Sequence, residues 1–85
     1  MRFYVYIILS FRKNRPITYV GYTNNIKNRI KLHNTSLGAK FTKGNKWKLI
    51  YKRIYTNKKK AMSEEYKLKK NKKKRNIIKN KFLNI

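Results

Sequence analysis

Three observations predict an α+β fold in the order β-β-α-β-α, with one further helix in the tail. Two apolar runs rich in β-branched and aromatic residues, FYVYIIL and ITYVGY, lie close together near the start. The hydrophobic period then lengthens from strand-like to helix-like in NIKNRIKLHN and again in KKKAMSEEYKLKK. A third alternating run, WKLIYKRIY, separates the two helical stretches. A chain of 85 residues holds one domain with a small core and modest stability.

Residues 3–9 set Phe3, Val5, Ile7 and Leu9 against Tyr4, Tyr6 and Ile8, a strand with both faces covered. FRKNRP is a polar turn, and residues 17–22 return as the second strand of a hairpin. With a symmetric loop, Tyr6 and Tyr19 lie near each other across the pair. Gly21 weakens its strand unless something must approach closely, whether a ligand, a tyrosine ring or a bulge. Asn24 can cap the first helix by accepting from its free N–H groups, and Ile26 and Ile30 form its apolar i, i+4 pair. That helix ends near Asn34, because TSLGAKFTKGNK is rich in loop residues. The third strand alternates around Trp47, Leu49 and Tyr51. A second helix starts after Thr56 or Asn57, and NIIKNKFL in the basic tail can form a short packing helix. The expected organisation is a domain over residues 1–75 and a tail over 76–85, packed as a short helix or disordered.

Charge separates the function classes most strongly. Lys and Arg number 25 against two acidic residues, a formal net charge of +23. Such a field attracts polyanions, nucleic acid first. An AT-rich codon bias, to be expected where Lys, Asn and Ile are all abundant, would also raise the lysine content. The absence of cysteine excludes a disulfide framework, a zinc knuckle and a thiol nucleophile. FYVYIIL is short, has no small-residue cleavage site after it, and leads into a basic loop with Pro16. No stretch approaches the ~20 apolar residues of a membrane helix. The expectation is a cytoplasmic, nucleoid-associated protein that does not engage a membrane.

Few residues can carry chemistry. At about 100° per residue from Ala61, Glu65 falls near 40°, inside an arc shared with Met62, Tyr66 and Leu68. Glu64 falls on the other side, beside Lys60 and Lys67, where a solvated ion pair is ordinary. An inward carboxylate is costly unless paired or ligating a cation, so Glu65 either meets Lys69 or Arg29 or holds a metal. Arg29 and His33 are i, i+4 neighbours bordering the Ile26 and Ile30 stripe. Arg29 suits a phosphate oxygen and His33, the only histidine, suits proton transfer; the plain alternative is a basic helix with a half-exposed histidine. SLGAKFTKGNKWK interleaves Lys40, Thr42, Lys43 and Lys46 with Phe41, a composition for phosphate contact or for a solvated loop. Lys72, Lys73 and Lys74, like the run at 58–60, add nonspecific affinity.

These residues together resemble the GIY-YIG nuclease superfamily, in its small single-domain bacterial branch. VYI at 5–7 stands for the first signature with Tyr6, and YVG at 19–21 for the second with Tyr19 and Gly21. NIKNRIKLHN matches at Arg29 and His33, GAKFT at the following loop, and AMSEEYKLK at Glu65. Several motifs in order and spacing, over roughly residues 2–75, make the likeness specific. It implies a three-stranded antiparallel sheet flanked by helices. It implies Glu65 holding one Mg2+ or Mn2+, with Tyr6, Tyr19, Arg29 and His33 as catalytic residues in hydrolysis of DNA phosphodiesters. Tyr4 and Tyr22 are expected to pack or touch substrate. The first signature lacks its leading glycine, and Asn76 and Asn80 both stand where larger members carry an asparagine. Without an appended targeting domain, the expected substrate is branched or damaged duplex DNA in repair or recombination, with a protein partner able to supply specificity. A noncatalytic nucleic-acid binder of the same fold and a small ribosome-associated RNA-binding protein are the alternatives.

Overall fold

The computed structural model describes residues 1–85. Its elements are β1 (Phe3–Arg12), β2 (Arg15–Thr23), α1 (Ile26–Asn34), β3 (Lys48–Tyr55), α2 (Lys58–Lys70) and α3 (Lys72–Leu83). The three strands form one antiparallel sheet in the order β2-β1-β3, so the expected sheet is present with β1 at its centre.

The hairpin is tighter than FRKNRP suggested. Both strands run on until Arg12 pairs Arg15, leaving only Lys13 and Asn14 in the turn. Both have positive φ, 52° and 64°, which lets a two-residue turn follow the twist of the strands. The register sets Tyr6 opposite Gly21 and Ile8 opposite Tyr19. Tyr6 and Tyr19 are therefore diagonal neighbours on one face rather than directly opposed.

A central strand with both faces covered needs a core on each side. One cluster joins Val5, Ile7 and Val20 to Ala61 and Leu68 of α2, with Tyr22, Tyr51, Tyr55 and Ile78 packed around it. The other joins Tyr6, Ile8 and Trp47 to Tyr19, Leu49 and the Ile26 and Ile30 pair of α1. Each fully buried aliphatic side chain contributes roughly 1.5–3 kcal/mol.

Two local readings change. Ile7 opposes Tyr51 while Ile8 opposes Leu49, so Ile50 is an extra residue that bulges β3. Trp47 and Leu49 consequently face α1, whereas Tyr51 turns to the α2 side. Asn25, not Asn24, caps α1 by accepting from the Asn28 N–H. Asn57 caps α2 in the same way, accepting from Lys60. Asn71 ends α2 and caps α3, its side chain accepting from the Lys74 N–H. Helix α3 runs unbroken across the expected division between residues 75 and 76. No helix is long and apolar enough to cross a membrane.

Candidate active site

The inward face of α1 carries Ile26 and Ile30 into the core, and one turn later it carries His33. His33 is fully buried, not half-exposed. Its Nε2 lies 2.7 Å from the Tyr6 hydroxyl and its Nδ1 lies 2.8 Å from Thr42 Oγ1. Thr42 donates its own hydroxyl proton to the Ala39 carbonyl at 2.8 Å. Thr42 must then accept from Nδ1–H, which leaves Nε2 as the acceptor for the Tyr6 proton. This assignment of the imidazole tautomer rests on its partners. A hydrogen-bond chain thus runs Tyr6, His33, Thr42, Ala39.

Arg29 Nε donates to the Tyr6 oxygen at 3.4 Å. That hydrogen bond raises the Arg29 pKa, with smaller contributions from the Tyr6 and Tyr19 charges, so the guanidinium stays charged. Burial pushes the Tyr6 phenol up to about 12 despite the opposing pull of Arg29. Burial, with the Arg29 charge behind it, pushes His33 down to about 4. At neutral pH the resting site holds a protonated phenol donating to the lone pair of a neutral imidazole. Tyr19 closes the cluster, its ring centroid 5.2 Å from that of His33.

Two glycines make the Tyr6–His33 contact possible. A Cβ on Gly21 would lie 2.5 Å from the Tyr6 oxygen, and a Cβ on Gly38 would lie 2.5 Å from His33 Nδ1. Of the three explanations open for Gly21, the tyrosine ring is the one observed. Gly38 carries no separate signal outside the GAKFT loop.

Glu65 comes from α2. Ala61 and Leu68 form the buried line of that helix, while Met62 and Tyr66, expected in the apolar arc, are exposed at 45% and 58%. Small Ala61 lets the helix sit down on the sheet and puts one glutamate on each flank of the line. The Glu65 side chain is 17% exposed and pairs with Lys69 Nζ at 3.8 Å. It is near enough that its charge helps hold the proton on Tyr6. Glu64 forms the expected ion pair with Lys67 but is less exposed than a solvated pair would be. Its side chain is 27% exposed, meets Lys67 at 3.3 Å, and lines a cavity with Tyr51, Arg53 and Tyr55 of β3. Tyr6, Arg29, His33 and Tyr19 are therefore brought together, with Glu65 at their margin.

The expected DNA-contact residues divide. Lys40, Lys43, Lys46, Lys72, Lys73 and Lys74 are exposed. Thr42 is completely buried under His33, so it serves the site from behind and offers no surface to a phosphate. The loop that carries it is stitched down by contacts the sequence pattern did not reveal. Asn34 clasps the Trp47 backbone, donating to its carbonyl at 3.2 Å and accepting from its N–H at 2.5 Å. The Trp47 indole N–H donates to the Thr42 carbonyl at 2.8 Å. Arg12 reaches from the hairpin to donate to the Phe41 carbonyl and to Asn45 Oδ1. Asn76 and Asn80 both lie half-buried on α3.

A UPF0213 protein of Oceanobacillus iheyensis is 42% identical over 67 residues, covering 78% of this chain and 74% of that protein. A UPF0213 protein of Clostridium perfringens is 46% identical over 68 residues, covering 79% and 70%. Among solved structures, the solution NMR structure of the UPF0213 protein BH0048 from Bacillus halodurans shares 34% identity over 91% of this chain and 83% of that one, with a TM-score of 0.49. The family described as the GIY-YIG catalytic domain matches residues 2–80. With that match spanning both tyrosine signatures, Arg29, His33 and Glu65, the chain belongs to the GIY-YIG family of nuclease domains.

Proposed function

We propose that this chain is a divalent-metal-dependent endonuclease that hydrolyses DNA phosphodiester bonds, selecting branched or damaged duplex in repair or recombination, with a protein partner free to refine the target. The observation that carries this reading is the buried Tyr6–His33–Thr42 hydrogen-bond chain, with Arg29 donating to its phenol end. A structural tyrosine has no need of a neutral, desolvated histidine behind it.

Tyr6 is fully buried in the free chain, so DNA binding must first open the phenol to the attacking water; as that water gives up its proton to the Tyr6 oxygen, Tyr6 passes its own proton to His33 Nε2. No tyrosinate need form at rest, which suits a phenol held at about 12. Thr42 fixes the ring so that Nε2, not Nδ1, meets the phenol. The remaining donors of Arg29 would meet the phosphoryl oxygens, where charge gathers in the transition state.

Glu65 fits a hard cation. It is one of two acidic residues, largely shielded from water, and only a loose contact with Lys69 competes for it. No group of three or more His, Cys, Asp or Glu is gathered anywhere in the chain. Glu65 would hold Mg2+ or Mn2+ together with water and substrate oxygens, the sparse protein ligation magnesium accepts. When bound, the cation supplies charge neutralisation at the phosphate and the leaving oxygen.

The test is nicking of labelled flapped, branched and plain duplex DNA, with Mg2+ or with chelator, by the natural chain and by Glu65→Gln. The expected result is metal-dependent nicking that the variant loses while its DNA affinity holds or rises. Affinity lost in step with nicking overturns the assignment of Glu65. Tight binding without nicking on any substrate would favour the noncatalytic binder.

A further inference from the structure

Strand β2 is an edge strand, and a cleft of about 230 Å³ lies beside it. Tyr19, Thr18 and Val20 line it from β2, Phe41 from the loop, Lys69 from α2 and Arg75 from α3. Phe41 is 48% exposed, yet its neighbours fix it. Its ring lies nearly parallel to Tyr19, at 21° and 6.1 Å between centroids, and 6.3 Å from the Trp47 ring. Arg12 holds its carbonyl and places a guanidinium 5.2 Å from the ring centroid. An exposed phenylalanine is ordinarily free to turn away from water; this one packs against Tyr19, Trp47 and Arg12 where it lines a cationic cleft.

We propose that this cleft is a subsite for one unpaired nucleobase of DNA, which stacks on Phe41 while Lys69 and Arg75 take the flanking phosphates. A rigid aromatic face beside positive side chains is what sequence-tolerant binding of single-stranded DNA requires. A base still paired in duplex cannot present its face to Phe41, so the subsite selects DNA with an extrahelical or single-stranded nucleotide. Two contacts tie it to the reaction centre: Tyr19 also packs on His33, and Lys69 also pairs with Glu65. The inference rests on the nuclease reading only for its consequence, a cut placed next to the unpaired nucleotide.

The experiment measures binding under chelator, so that hydrolysis plays no part. Duplexes carrying 2-aminopurine, either bulged out or fully paired at the same position, are titrated with the full chain. Binding should quench the bulged probe and favour it about tenfold or more over the paired one. An abasic residue in the bulge should remove that preference, a control that leaves the protein unchanged. Phe41→Leu should lose both the quench and the preference with paired-duplex affinity unaltered, and Phe41→Trp should keep them. A preference that survives the abasic bulge, or a Phe41→Leu variant that weakens both duplexes equally or neither, overturns the proposal. A chain that never nicks can pass this test, and a chain that nicks can fail it.

Discussion

Tyr6 and His33 can touch because the two positions beside them have no side chain. Gly21→Ala would set a methyl group 2.5 Å from the Tyr6 oxygen and 2.7 Å from Cζ, so the phenol must move off His33 Nε2. Single-turnover nicking should fall about 10²-fold, the scale of an ångström-sized misplacement at a reacting group, while DNA affinity stays level. An undiminished rate would mean that the Tyr6 position is not what the chemistry depends on. His33 gives a second prediction, helped by a chain with one histidine and two acidic side chains. The ordinary histidine value is 6.5 and the folded one about 4, so between them only the unfolded state takes up the proton. Stability is therefore fully present above pH 6.5 and is lost as pH falls toward 4, with a slope approaching one proton. Glu64, held low by Lys67, adds its own loss only below its ordinary 4.5. Urea midpoints across pH 4–7.5 should show this slope in the natural chain and a nearly flat line in His33→Gln; equal slopes would assign the proton elsewhere. The residues at these positions were legible because motif spacing marks Tyr6, Arg29 and His33. Thr42 and Gly38 were not, since a loop broken only by the single 3-10 turn Lys40–Thr42 has no period from which burial can be read.

Element positions followed the hydrophobic period closely: α2 begins after Asn57, one of its two expected starts, and α1 ends at Asn34, as expected. The faces of those elements were less legible. The bulge at Ile50 exchanges the sides of β3 partway along, and no residue type announces it. On α2 the helical wheel centred the apolar arc too far toward Met62 and Tyr66, because it weighted large side chains over the small Ala61 that sets the line of contact. With that line corrected, the two glutamates sit on opposite flanks, Glu65 toward Tyr6 and Glu64 toward Arg53 and Tyr55 of β3. The flanks should therefore separate by function. Glu64→Gln removes an ion pair with Lys67 and leaves nicking unchanged, whereas Glu65→Gln abolishes it. Parallel metal titrations of the two variants check this. If Glu64→Gln also shifts the Mg2+ midpoint, α2 presents both carboxylates to one cation, and the flank assignment is wrong.

At the scale of the whole molecule, charge is the feature that folding does not absorb. Two acidic residues pair with Lys67 and Lys69, and the other cations have no acidic side chain left to meet. Their placement adds a cost. Helices α2 and α3 each open with three lysines and carry no acid in the first turn, against the positive end of the helix dipole. Bound phosphates would relieve that repulsion, so the same lysines should affect folding and binding with opposite signs. Replacing Lys72, Lys73 and Lys74 together by Gln should stabilise the free protein by about 0.3–1 kcal/mol per charge at low ionic strength. Part of that gain is offset at Lys74, whose ammonium lies 6.0 Å from the Tyr51 ring centroid. DNA affinity should fall, and the slope of log K against log salt should become shallower by about 2–3 if each lysine neutralises one phosphate. The cut position should not move, because these residues lie outside the Tyr6–His33 cluster. Urea melts and salt titrations on one duplex, read beside the cleavage pattern, give all three quantities. A variant less stable and no weaker in binding would show that the lysines serve α3 and not DNA, and a moved cut would place the start of α3 among the groups that choose the site.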